Sequence, residues 1–223
     1  MKINANNHFS IKRLLIAFTT MAALSSCTKD QLRPQLADGS SIVVTDLPGD
    51  TGRTVATGFR TFYFSLTTNA KVDSTQKQTA DWDICFAREY NSYLGVNSGT
   101  DNASYGIGGP GHGAMVQVNQ AYDQVTTAPS DDVFKNNGVS SAGWDPGNGT
   151  GWYFYDLNTH IAVPIKNRTF VIRTATGKYA KLELVSMYKG APAVVTNLYW
   201  PAPYFTFRYY VQQDGTRNLA TKN

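Results

Sequence analysis

The chain has 223 residues, 42% of them hydrophobic and 13% aromatic, with 20 Lys/Arg against 16 Asp/Glu and a formal charge of +4. Three of the basic residues and none of the acidic ones fall in positions 1–26, so residues 27–223 carry 17 against 16, a formal charge of +1. That balance excludes the basic stripe of a nucleic-acid binder, and two cysteines exclude a disulfide framework, so a fold of this length must be held by its apolar core.

Lys2, Lys12 and Arg13 supply a positive amino-terminal region, residues 14–24 form an apolar run, and Leu24-Ser25-Ser26-Cys27 closes it. This order predicts a lipoprotein export signal over residues 1–26, removed so that Cys27, acylated at sulfur, becomes the first residue. The run is shorter than the roughly 20 residues a membrane-crossing helix needs. Acyl chains on Cys27 are instead expected to hold the protein to the membrane, at about 0.8 kcal/mol per buried methylene. Residues 27–40, with Pro34 and Gly39-Ser40-Ser41, read as the lipidated cysteine and a polar tether.

Residues 41–213 read as one all-β antiparallel domain with a single short helix. Phe62, Phe64 and Leu66 alternate with Tyr63 and Ser65; Trp82, Ile84 and Phe86 alternate with Asp83 and Cys85. This period of two, in aromatic and β-branched runs broken by Gly, Asn and Asp, is that of half-buried strands. Ser130–Asn137 reads as the helix, with Ser130 as N-cap, Asp131 and Asp132 in its first turn and Gly138 after its end. The glycine-rich stretch 139–151 reads as a loop, and Trp152 and Phe154 alternate with Tyr153 and Tyr155 in the next strand. Thr169–Thr174 and Lys178–Met187 form a hairpin through Ala175-Thr176-Gly177, placing Ala180, Leu182 and Leu184 on one face and Tyr179, Lys181 and Glu183 on the other. Phe205, Phe207, Tyr209 and Val211 pattern a closing strand, and residues 214–223 a polar tail.

Catalytic chemistry is sparse in this sequence. It contains no His-Glu-x-x-His, Gly-x-Ser-x-Gly, phosphate loop or Cys-x-x-Cys. Asp81 and Asp83 flank Trp82 and read either as a carboxylate pair or as capping groups at a strand edge. The expectation is a binding protein, not an enzyme. The segment after the signal has two histidines and two methionines. His112 stands between glycines, where the backbone can approach a ligand closely or simply make a surface turn. His160 sits in a short loop beside aromatics and either caps a turn or ligates iron. Met115 and Met187 are soft thioethers able to bind haem iron axially, or core fillers.

Three stretches carry a family resemblance: Asp81-Trp82-Asp83-Ile84-Cys85-Phe86; Gly111–Gln117 with the downstream Tyr122–Pro129; and Asn167–Lys181. Their order and spacing, with Tyr204-Phe205-Thr206-Phe207-Arg208-Tyr209 closing, resemble the HmuY family of haem-binding bacterial lipoproteins. The resemblance implies a HmuY-like β domain on a lipid anchor at the outer membrane, capturing haem for iron acquisition and passing it to an outer-membrane receptor. Lys29-Asp30 resembles the signals that send lipoproteins of Bacteroidetes-type bacteria to the cell surface. No ligand carries over residue by residue. The haem-binding member that names the family has two axial histidines, on a long hairpin insertion and just beyond the tryptophan-containing strand. The short Gly138–Gly151 loop stands in place of the insertion and holds no His or Met, and the equivalent later position reads Leu157 or Asn158. His160, His112, Met115 and Met187 therefore remain the candidate haem ligands. The alternative is the same scaffold without haem, binding another ligand or a protein partner.

Overall fold

The computed structural model describes residues 36–38 and 40–221; the expected signal, Cys27 and most of the expected tether lie outside them. The strands are β1 (Ile42–Pro48), β2 (Phe62–Ser65), β3 (Ala70–Val72), β4 (Ile84–Ala87), β5 (Tyr93–Val96) and β6 (Ala114–Val118). Helix α1 (Asp131–Asn137) precedes β7 (Ser141–Ala142), β8 (Tyr153–Asp156), β9 (Ile161–Pro164), β10 (Thr169–Arg173), β11 (Tyr179–Ser186) and β12 (Tyr204–Val211). Two five-stranded sheets form, ordered β1-β12-β11-β10-β6 and β3-β2-β4-β5-β7, with β8-β9 as a separate ribbon. Every pairing between these strands is antiparallel, so the fold is all-β with one short helix.

The period-two pattern accounts for the main core. Phe170, Ile172, Ala180, Leu182, Leu184, Phe205 and Phe207 project from one sheet onto Phe64, Ile84, Phe86 and Leu94 of the other. Phe86 meets Phe205 at 4.4 Å between ring centroids, and Phe64 meets Phe207 edge-on at 5.5 Å. Such pairs add about 0.5–1.5 kcal/mol beyond the area they bury. Gly177, at φ +88°, turns the β10–β11 hairpin as its position requires.

The outer face of the first sheet is covered as well. Phe134 of α1, Val125, Ala128 and Leu219 pack on Val116, Val171 and Tyr179. The segment read as a polar tail therefore folds back: Leu219 is fully buried, and its amide donates to the Thr126 carbonyl. Lys181 projects onto this covered face, where its ammonium donates to the carbonyls of Tyr122 and Val125 and to the Thr221 hydroxyl.

Three local readings are corrected. Trp82 lies ahead of β4 and packs with Tyr63 and Cys85, away from Ile84 and Phe86, its indole N–H donating to the Lys77 carbonyl. Ser130 precedes α1 without a side-chain cap bond; its carbonyl instead accepts from the amides of Val133 and Phe134. The 139–151 stretch is not all loop, because β7 pairs with β5 and Trp144 bridges Tyr153.

Candidate functional site

The β8–β9 ribbon stands off the two sheets and forms one wall of a cleft of about 580 Å³. Its turn is built on Asp156, whose carboxylate accepts from the amides of Asn158 and Thr159, while the His160 amide donates to the Asp156 carbonyl. Those two amides hold the Asp156 carboxyl below the usual carboxylate range. The chain then closes with His160 at φ +58°, a region that favours glycine or asparagine.

Glu89, Tyr90, Ser92, Tyr93, Trp144, Met187, Tyr188 and the loop 198–202 complete the walls. Hydrogen bonds fix the floor. Trp152 donates its indole N–H to the Ser92 carbonyl at 2.7 Å, and the Ser92 and Tyr153 hydroxyls meet at 2.9 Å. The Tyr188 hydroxyl accepts from the Ala162 amide at 2.9 Å. Burial pushes the Tyr153 hydroxyl up to about 12, so it remains a neutral phenol at physiological pH.

The rim differs from the floor. Six large apolar side chains that the rest of the fold leaves exposed line this one cleft: Val55, Tyr90, Trp144, Leu157, Leu198 and Tyr199, the last at 85% exposure. An exposed apolar concentration of this kind marks a binding surface. Glu89 is the one carboxylate in the lining, which contains no lysine or arginine. Arg88, Tyr90, Asn91 and His160, in or beside the cleft, hold positive φ angles. Asn91 locks its segment by donating to the carbonyls of Arg60 and Phe86 and accepting from the Asp50 amide. Non-glycine backbone of this kind costs roughly 1–3 kcal/mol per residue and clusters where binding geometry requires it.

His160 and Met187 both line the cleft. His112 and Met115 do not. His112 is held at the opposite end of β11, its amide donating to the Ala175 carbonyl beside the hairpin turn. Its flanking glycines serve packing: a Cβ on Gly111 would lie 2.4 Å from the Asn97 side-chain oxygen, and one on Gly113 2.3 Å from the Asn97 carbonyl. Met115, 1% exposed on β6, fills the core between the sheets. Asp81 and Asp83 do not act together. Asp81 is exposed and accepts from the Thr79 hydroxyl, whereas Asp83 is buried and accepts from the amides of Leu66 and Ala175. Among the described residues no group of three or more His, Cys, Asp or Glu is placed to hold a metal ion.

The family model for HmuY protein matches residues 60–199, more than half of the chain. The chain belongs to the HmuY family. Its structure is similar to the apo HmuY analog of Tannerella forsythia, at 14% identity over 78% of this chain and 95% of that one, with a TM-score of 0.43. It is also similar to a candidate HmuY-like heme-binding protein of Bacteroides vulgatus, at 16% identity, 76% and 89% coverage and a TM-score of 0.37. A candidate lipoprotein of Bacteroides fragilis matches at 17% identity, 78% and 89% coverage and a TM-score of 0.35. No curated protein matches the sequence.

In this HmuY-family chain the cleft residues that sequence reading missed are Tyr90, Tyr93, Trp144, Tyr188 and the run Leu198-Tyr199-Trp200. The run carried a readable signal, since consecutive large apolar residues in a connection between strands break the usual polar patterning of loops. The others come from separate segments and share no pattern along the chain.

Proposed function

We propose that this HmuY-family protein is a lipid-anchored haem-capture protein that binds haem in the cleft beside the β8–β9 ribbon and catalyses no reaction. The observation that carries this reading is that an imidazole, His160, and a thioether, Met187, which is 5% exposed at the edge of the core, line one apolar aromatic cleft. Imidazole and thioether groups are both known axial ligands of haem iron. A volume of about 580 Å³ suits a flat ligand of that size, within the roughly 300–1,000 Å³ of ligand pockets. The aromatic walls offer stacking faces, and the rim side chains bury apolar surface when a porphyrin enters.

Anchoring through Cys27 at the outer membrane and delivery to an outer-membrane receptor complete the reading. Strand β1 runs from the tether root at Ile42 toward the cleft, its last residue, Pro48, pairing with Tyr204 beside Met187.

Absorption spectra of haemin-loaded variants test the ligands. His160→Ala and Met187→Ala are each expected to abolish a six-coordinate low-spin Soret and Q-band spectrum, while His112→Ala and Met115→Ala retain it. An unchanged spectrum in His160→Ala would overturn the assignment.

A further inference from the structure

Glu89 brings a carboxylate to a cleft whose walls are otherwise aromatic, apolar or neutral. It opens the turn Glu89–Asn91 between β4 and β5, where its carbonyl accepts from the Ser92 amide at 2.9 Å. Ser92 engages Tyr153 and Trp152 on the floor, and Asn91 is locked to the carbonyls of Arg60 and Phe86. The turn thus fixes where the glutamate leaves the backbone. Burial is the main cause that raises the Tyr153 phenol, and the Glu89 charge adds to it, so the carboxylate is felt at the floor. Among the described residues no ion pair engages Glu89. Arg88 and Lys189, the basic residues adjoining the lining in sequence, do not line the cleft. The Arg88 guanidinium lies over the Tyr93 ring at 4.8 Å, and the Lys189 ammonium over the Tyr204 ring at 5.2 Å. The Trp200 indole N–H is spent on the Lys189 carbonyl. A ligand carboxylate drawn inside would therefore lose water, meet Glu89 and find no cation in the lining, which is a costly burial.

We propose that Glu89 is a specificity-determining residue, its carboxylate turning ligand carboxylates away so that a porphyrin enters apolar edge first and keeps its propionates in solvent. The proposal deepens the haem reading and rests on it for the class of ligand. Its own content is what the cleft recognises: the apolar ring system and the central metal, with the propionates contributing nothing to affinity. The porphyrin's apolar edge fills the space between Tyr153, Tyr188 and Met187, and its charged edge stays at the open side. Glu89 sets that direction by repulsion, which ordinary salt screens because the carboxylate is exposed.

Soret titrations of the wild type and Glu89→Gln with haemin and with its diamide, in which both propionates are neutral amides, test the proposal. At low salt the diamide is expected to bind the wild type about two- to fivefold more tightly than haemin, the effect of a like charge a few ångströms away in water. In Glu89→Gln the two porphyrins should bind alike, and about 0.3 M salt should narrow their difference in the wild type. A diamide that binds the wild type about tenfold more weakly than haemin overturns the proposal, because the propionates would then be gripped. A ratio of the two affinities that Glu89→Gln leaves unchanged overturns it as well. The wild-type comparison needs no variant to fold. If neither porphyrin gives a saturable shift, the haem reading itself fails and takes the proposal with it, a result distinct from binding with the wrong preference.

Discussion

His160 holds a left-handed backbone conformation at a turn position where glycine or asparagine would sit with less strain. Its side chain lines the cleft and meets Tyr155. The turn therefore sacrifices stability to present an imidazole. Replacing His160 with glycine is expected to raise the free energy of unfolding by about 0.5–1 kcal/mol, read from urea titrations, while removing the haem spectrum. A destabilised variant that still bound haemin would show that the histidine serves the fold instead. At this scale the sequence offered four candidate ligands with His160 first among them, and left the second open among His112, a methionine or none. Period and spacing say which face a residue takes, but not which end of a strand meets a distant ribbon. His112 lies at the other end of β11 from Met187, and Met115 is packed in the core between the sheets.

Strand β11 shows what alternation reveals and what it hides. Its inward set, Ala180, Leu182 and Leu184, reads directly from the sequence and packs as read. Its other face reads as solvated, because Lys181 and Glu183 lie on it, yet Lys181 is fully buried. The covering segments are remote in sequence: the chain around Tyr122 and Val125, helix α1 and the folded-back carboxyl-terminal stretch. Lys181 is tolerated there because three oxygens receive its protons and the Tyr122 ring lies 4.4 Å below it. Lys181→Met would leave the Val125 carbonyl without the Lys181 donor and the Tyr122 carbonyl with only the Val125 amide, and is expected to cost about 1–3 kcal/mol in urea unfolding. A neutral result would mean that water takes over both bonds.

The same region ties down the entry to β1. Burial alone would raise the Asp38 carboxyl, but bonds from Ser41, Ser40 and Thr221 outweigh it and lower the value to about 2. An ordinary aspartate titrates near 3.9 when unfolded, so this carboxylate contributes stability above that pH and loses it as the pH falls toward 2. Asp38→Asn should therefore be less stable than the wild type at neutral pH, with the gap closing between about pH 4 and pH 2. Parallel unfolding curves at every pH would contradict the assignment.

At the scale of the whole molecule, the all-β antiparallel class, the short helix and the family were legible, because each rests on local alternation or on ordered motifs. The cleft was not, since it is assembled from six separate stretches that only the tertiary fold brings together. The most direct test of the account is a haemin titration of residues 28–223, followed in the Soret and visible bands under oxidising and reducing conditions. The account predicts a saturable one-to-one shift to a six-coordinate spectrum. No shift, or a spectrum matching nonspecifically bound haemin, would contradict it.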